Sequence, residues 1–114
     1  MNDPNVLNLS PAEAYAAQQR GEVLIVDVRE PTEFAAERIP GALNLPLSAF
    51  DPGSLLAVVD VECVLFQCGS GVRSTKAVMA CRQSSVRVRR HMAGGIGAWK
   101  ATGLPTVRSE PAAG

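Results

Sequence analysis

The sequence predicts an α/β domain with a mainly parallel sheet covered by helices, and three observations carry that prediction. The segments EVLIVDV (22–28) and ECVLFQC (62–68) are nearly unbroken runs of aliphatic and β-branched residues, as expected of strands buried on both faces. Segments with helical patterning alternate with them along the chain. The length, 114 residues, suits one domain that buries roughly 60–70% of its unfolded surface without covalent staples.

LSPAEAYAAQQRG (9–21) reads as a complete first helix. Ser10 is its N-cap, Pro11 its first residue, Glu13 the closing member of a capping box, and Gly21 follows its end. EVLIVDV is the first buried strand and stops at Asp27. Polar REPTEFAAER gives a short helix after Pro31, and ALNLP a short strand. LSAFDPGSLLAVV is expected to hold helical turns broken at Pro52–Gly53. ECVLFQC is the second buried strand. From Val72 to about Gln83 the pattern is helical, with Val72, Ala77, Ala80 and Cys81 sharing an inner face. SVRVRRHM is a more polar strand and GGIGAWKA a last short helix. The expected ordered core runs from about residue 5 to 105, leaving 106–114 as a loose tail.

Composition narrows the function. Apolar residues are 46%, charged residues 19%, and formal net charge is zero, so no long-range field recruits nucleic acid or an anionic membrane. No apolar run approaches the roughly 18–20 residues that cross a bilayer. MNDPNVLNLS lacks both a basic and an apolar leader region, which predicts a cytoplasmic protein. The three cysteines, Cys63, Cys68 and Cys81, are odd in number and lack paired CxxC spacing. That argues against a disulfide framework and against zinc. If the intervening segment is a strand, Cys63 and Cys68 lie about 16 Å apart, beyond the roughly 7 Å that a disulfide bridges.

FQCGSGVRST (66–75) holds the candidate chemistry. In open α/β sheets ligands bind beyond the carboxyl ends of strands, and Cys68 stands there, just before a helix start. Free amides and the positive end of the helix dipole lower a thiol's pKa at such a place. Gly69 and Gly71 are expected to curl the backbone with positive φ, so that successive N–H groups point inward as a nest. Arg73 adds a fixed positive charge. The set suits a nucleophilic cysteine that must also stabilise an anionic adduct. Cysteine-dependent phosphatases place five residues between cysteine and arginine, whereas Gly69, Ser70, Gly71 and Val72 make four. A tighter ring suits a smaller anion, such as a persulfide sulfur. The bland alternative is a strand-to-helix turn that carries a buried thiol.

Four segments together resemble the rhodanese-like (thiosulfate sulfurtransferase) family. VDVREPTEF (26–34) is similar to its Asp-x-Arg segment, RIPGALNLPL (38–47) to its His-Ile-Pro-Gly-Ala segment, CGSGVRS (68–74) to its active-site loop, and MAGGIGAWKATGLP (92–105) to its closing Gly-Gly-x-x-x-Trp segment. The resemblance implies a three-layer domain spanning residues 1–114, with a five-stranded, mainly parallel sheet. It implies that Cys68 takes a sulfane sulfur from thiosulfate or another persulfide donor and holds it as a persulfide within the amides of residues 69–73. Cyanide, a thiol or a partner protein then accepts the sulfur. Neither metal nor organic cofactor is implied. Asp27, Arg29 and Ser74 are implied as supports of the loop. The chain departs from the family pattern at Gly69, where Arg or Lys is frequent, leaving Arg73 as the loop's cation. It departs also at Arg38, in place of His, and at Arg89, in place of an apolar strand residue.

Elsewhere the structural reading is preferred. Arg29 is expected to pair with a carboxylate such as Glu33, and His91 to be a strand-end residue rather than a base for Cys68. Trp99 is expected to anchor the last helix, and Cys63 and Cys81 to be buried structural thiols. Arg82, Arg87, Arg89 and Arg90 form a solvated basic face, with docking of an acidic carrier as its functional counterpart. Three functions stay open: an active sulfurtransferase, a catalytically weak or inactive module for recognition or sulfur carriage, and a cysteine phosphatase or arsenate reductase. The four-residue spacing and the lack of an acid in the loop disfavour the last. A monomer is the default expectation, as no heptad or long exposed apolar stripe decides oligomeric state.

Overall fold

A computed structural model describes residues 7–109. Positions 5–6 of the expected core and 110–114 of the expected tail lie outside the described residues. The main sheet has five parallel strands: β1 (Leu7–Leu9), β2 (Leu24–Asp27), β4 (Leu43–Asn44), β5 (Val64–Gln67) and β6 (Arg90–Met92). Their order across the sheet is β1-β6-β5-β2-β4. The helices are α1 (Pro11–Gln19), α2 (Pro31–Ala36), α3 (Pro52–Val58), α4 (Val72–Gln83) and α5 (Gly95–Ala101). Strand side chains alternate between two cores. Val64 and Phe66 pack with Leu55 of α3 and with Ala77, Val78 and Cys81 of α4. Leu65 packs on the opposite face with Ala14 of α1 and with Ile96 and Trp99 of α5. The result is the expected three-layer α/β domain, with β5 and β2 at its centre.

Local chemistry explains the element ends. Ser10 Oγ accepts the Glu13 N–H at 3.1 Å, and Glu13 Oε1 accepts the Ser10 N–H at 2.9 Å, closing the capping box of α1. Pro52–Gly53 starts α3 instead of breaking a helix. Asp51 caps it, accepting from the Gly53 N–H at 3.0 Å, and proline suits the first helical position, where no N–H is needed.

Several expectations are corrected. The edge strand β1 was not anticipated; LNL is too short to show a pattern, and its pairing to β6 supplies the ladder. The strand near SVRVRRHM contracts to Arg90–Met92, although Val86 and Val88 are buried and Arg89 is exposed. Val72 is exposed, and Ser74 and Val78 take the inner face of α4 instead. Cys63 is half-buried in a 3-10 turn, its thiol 3.6 Å from Asp60 Oδ2, rather than a core thiol.

The expected loose tail is tied down through residue 109. Val107–Arg108 (β7) pairs antiparallel with Glu37–Arg38 (β3). The Glu37 carboxylate accepts from Lys100 Nζ at 2.7 Å, Thr106 Oγ1 at 2.6 Å and Arg108 Nε at 3.0 Å. These donors hold it at a pKa of about 2. Trp99, fully buried, donates from Nε1 to the Pro105 carbonyl at 2.7 Å. Among the described residues no helix is long and apolar enough to cross a membrane.

Candidate active site

Strand β5 ends at Gln67 and delivers Cys68 to the carboxyl edge of the sheet, one turn before α4 begins at Val72. The loop between them closes on the sulfur. Gly71 is the N-cap of α4 with φ 103°, a conformation that only glycine adopts cheaply, and its N–H donates to Cys68 Sγ at 3.0 Å. Gly69 does not share that conformation; positive φ in this loop is confined to Gly71. The hydroxyls of Ser74 and Thr75 both donate to the Gly71 carbonyl, at 3.1 and 2.8 Å, and fix the first turn of the helix.

The start of α5 aims the loop's amides. Ile96 N–H donates to the Cys68 carbonyl at 2.8 Å and Gly97 N–H to the Gly69 carbonyl at 3.1 Å. A trans peptide points its C=O and N–H in opposite directions. Drawing these two carbonyls toward α5 therefore turns the N–H groups of Gly69 and Ser70 the other way. Gly95 makes the approach possible. A Cβ on it would lie 2.1 Å from the Cys68 carbonyl oxygen. The sequence marked this glycine through its motif only; its task is visible once α5 is seen against the loop.

The electrostatics favour a sulfur anion. Burial pushes the Cys68 thiol's pKa up, but the backbone amides of Ser74, Gly71 and Ser70, joined by the Ser74 hydroxyl, outweigh it and bring the thiol below its ordinary value. The other two thiols move the opposite way. Burial lifts Cys81 to about 11. Partial desolvation and the neighbouring Asp60 lift Cys63.

The expected Arg29–Glu33 pair does not form. Glu33 instead grips Arg73, with Oε1 2.6 Å from Nη1 and Oε2 3.0 Å from Nη2. Arg73 holds the Glu33 carboxyl at about 2, so the loop's cation is already matched by an anion. The Arg73 guanidinium also lies close to Gly69, where an added Cβ would sit 3.2 Å from Nη2. Arg29 folds back on Asp27, with Nη2 2.8 Å from Oδ2 and Nε 3.1 Å from both carboxylate oxygens. Asp27 is fully buried and Arg29 is 6% exposed. Arg29 Nη2 also donates to the Glu37 carbonyl at 2.6 Å, while Val28 N–H donates to the Gln67 carbonyl at 2.9 Å. The pair thus braces the β2–α2 turn against the end of α2, the helix that presents Glu33, while the Val28 amide ties the turn to the strand that carries Cys68. Reach of about three residues in a turn favours Asp27 over Glu33 as the partner of Arg29, a choice that sequence spacing leaves open.

His91 stands near the end of β6, as expected. Its Nδ1 lies 3.3 Å from Ser74 Oγ, which is itself 3.7 Å from Cys68 Sγ. The basic residues Arg82, Arg87 and Arg89 are exposed along one groove with Glu62, away from Cys68.

Comparison with known proteins identifies the family. The model of the rhodanese-like domain matches residues 10–102. An uncharacterized protein of Synechocystis is 39% identical over 106 residues, covering 93% of this chain and 59% of its own length. A protein of Allochromatium vinosum named sulfurtransferase is 37% identical over 89 residues, covering 78% of this chain and 82% of its own. The crystal structure of thiosulfate sulfurtransferase from Pseudomonas aeruginosa superposes with a TM-score of 0.80 at 18% identity, over 94% of this chain and 21% of that one. It shows the shared fold. The chain belongs to the rhodanese-like domain family.

Proposed function

We propose that the protein is a sulfurtransferase in which Cys68 takes up a sulfane sulfur, carries it as a persulfide and passes it to a thiophilic acceptor. The observation that carries this reading is the Cys68 sulfur itself, held at 3.0 Å by the Gly71 amide in a ring turned inward at a helix start. Such a ring stabilises an anion wherever the negative charge sits on the bound sulfur. In the first step the Cys68 thiolate attacks the outer sulfur of the donor, forming the S–S bond. The bond between that sulfur and the donor breaks, and sulfite or a thiolate departs with the electron pair. In the second step an acceptor nucleophile attacks the terminal sulfur, and Cys68 leaves as the thiolate. The two steps balance without an external oxidant or reductant.

Further features support the reading. Cys68 is 1% exposed, so the reacting group must be slender, as a terminal sulfur is and a phosphoryl group is not. Arg73 is engaged by Glu33, so the loop offers no unmatched cation to a dianion, phosphate or thiosulfate, and a persulfide is the favoured donor. Asp27 and Arg29 act as supports of the loop through the β2–α2 turn, and Ser74 as a direct partner of sulfur. The protein of Allochromatium vinosum that bears the sulfurtransferase name covers most of its length with this chain.

Intact-mass measurement tests the proposal. The reduced protein is incubated with thiosulfate or with glutathione persulfide, beside Cys68→Ser. The expected result is a gain of one sulfur, released by cyanide and absent from the variant. No gain with either donor would leave the domain as a recognition module.

A further inference from the structure

The Ser74 hydroxyl donates to the Gly71 carbonyl and faces His91 Nδ1, which accepts in one tautomer. It accepts from the Cys68 thiol, which turns into a competitor for the serine proton once it ionises. The Gly71 carbonyl is 3.1 Å away, His91 Nδ1 3.3 Å and Cys68 Sγ 3.7 Å. Ser74 is fully buried, so no bulk water relaxes the competition. The Gly71 carbonyl has other donors in the Thr75 hydroxyl at 2.8 Å and the Thr75 N–H at 3.2 Å. Its claim on the serine proton is accordingly weak. The contest lies between His91 and the sulfur.

The protonation of His91 decides that contest. With its proton on Nε2, neutral imidazole presents Nδ1 as an acceptor and draws the Ser74 proton to itself. With a proton on Nδ1, as in the other tautomer or the imidazolium, the ring donates to Ser74 Oγ. The serine proton is then free to point at Sγ, where a thiolate or persulfide anion accepts it. A chain of donors running toward an anion strengthens each bond in it. The sheet register fixes the arrangement, since His91 on β6 stands opposite Phe66 of β5, two residues before Cys68, and opposite Asn8 of β1.

We infer that His91 is a positioning residue for the Cys68 anion, acting through the Ser74 hydroxyl, whose single proton it directs onto sulfur. This inference takes Cys68 as the reactive group of the proposed function, but its test does not depend on sulfur transfer. His91 is half-buried and lines a depression with Asn8, Ser70, Thr75 and Lys76, through which its ring exchanges protons with solvent. Burial holds its imidazolium below the ordinary histidine range. Among the described residues, the charged or titratable groups that share this depression or touch the Ser74 hydroxyl are Lys76 of α4 and Cys68. Arg90, its neighbour on β6, donates instead to the Glu62 carbonyl. A Cys68 anion would favour protonation of His91.

Linkage makes the coupling reciprocal, so the sulfur anion must raise the pKa of His91 as His91 favours the anion. The chain has one histidine, and its imidazole proton resonance reports the titration without ambiguity. The experiment titrates that resonance in Cys68→Asp, which puts an anion at that position while His91 titrates, and in Cys68→Ala, each with Ser74 intact and with Ser74→Ala. The His91 midpoint is expected to lie about half a pH unit or more higher in Cys68→Asp than in Cys68→Ala, and Ser74→Ala is expected to abolish that difference. A midpoint indifferent to the anion at position 68 overturns the inference. So does a shift that survives in the Ser74→Ala background, since the two groups would then interact through space alone. Thr75 still satisfies Gly71 in Ser74→Ala, and a native-like spectrum verifies its fold. Coupling in a protein that takes up no sulfur would refute the proposed function and leave this inference standing.

Discussion

Replacing Gly95 with alanine loads the tightest glycine contact among the described residues. Gly95 has φ +58°, and the added Cβ would stand 2.1 Å from the Cys68 oxygen and 2.7 Å from the carbonyl carbons of both Cys68 and Gly69. These are backbone atoms, which no rotamer change can move aside. Restoring ordinary separation requires the start of α5 to retreat by about 1 Å. That stretches the bonds from Ile96 and Gly97, at 2.8 and 3.1 Å, past the hydrogen-bonding range. The left-handed conformation costs a β-carbon about 1–2 kcal/mol, and each of two buried pairs lost costs about 1 kcal/mol or more. The total is about 3–5 kcal/mol, a large share of the roughly 5–15 kcal/mol typical of a domain. Gly103→Ala is the control. It has φ +85° with nothing within 4 Å of an added Cβ, so it carries the conformational cost alone, about 1–2 kcal/mol. Urea denaturation of the two variants reads the difference, and ultraviolet thiolate absorbance reads whether Cys68 titrates at a higher pH once its loop is released. If Gly95→Ala proves no less stable than Gly103→Ala and leaves the thiolate titration unchanged, then α5 does not hold the loop and the account of its inward amides fails.

Two further outcomes are expected. Thiolate absorbance should appear first from Cys68, at a pH below its ordinary value of 9.0, and Cys68→Ser should remove that early phase while Cys81→Ser leaves it in place. Because the folded value is depressed, Cys68 ionisation contributes stability that is complete above the ordinary value and is lost as pH falls through the folded one. For Glu33 the same sign applies at acid pH. Its contribution is complete above 4.5 and is lost as pH falls through about 2. With the Arg73 and Glu33 side chains 34% and 40% exposed, solvent screening limits the effect to about 1 kcal/mol. The stability advantage of the parent over Glu33→Gln in denaturant titrations should therefore narrow by that amount between pH 5 and 2. A constant gap would mean that the ion pair contributes nothing to the fold.

Much of this protein is legible in its sequence because the relevant forces are local or periodic. The capping box at Ser10 and Glu13 involves residues three apart, so the start of α1 needs no tertiary context. Continuous apolar runs identify β2 and β5 as the sheet's centre, because only a strand covered on both faces tolerates them. Cys68 at a strand end, with glycines before a helical pattern, locates the candidate site and the helix start at Val72. The tertiary structure decides what depends on distant segments meeting. LNL is unremarkable until β6 pairs with it, and residues 107–109 read as tail until Glu37 gathers its donors. Arg73 reads as a free cation until Glu33, forty residues earlier, takes both of its terminal nitrogens. Gly95 and His91 likewise acquire their meaning from atoms distant in the chain, a backbone carbonyl for one and a serine hydroxyl 17 residues away for the other. Chain patterning encodes where a strand or helix begins, through interactions within a few residues. The partner that a charge or a glycine meets is fixed by packing across the sheet, which no local pattern contains.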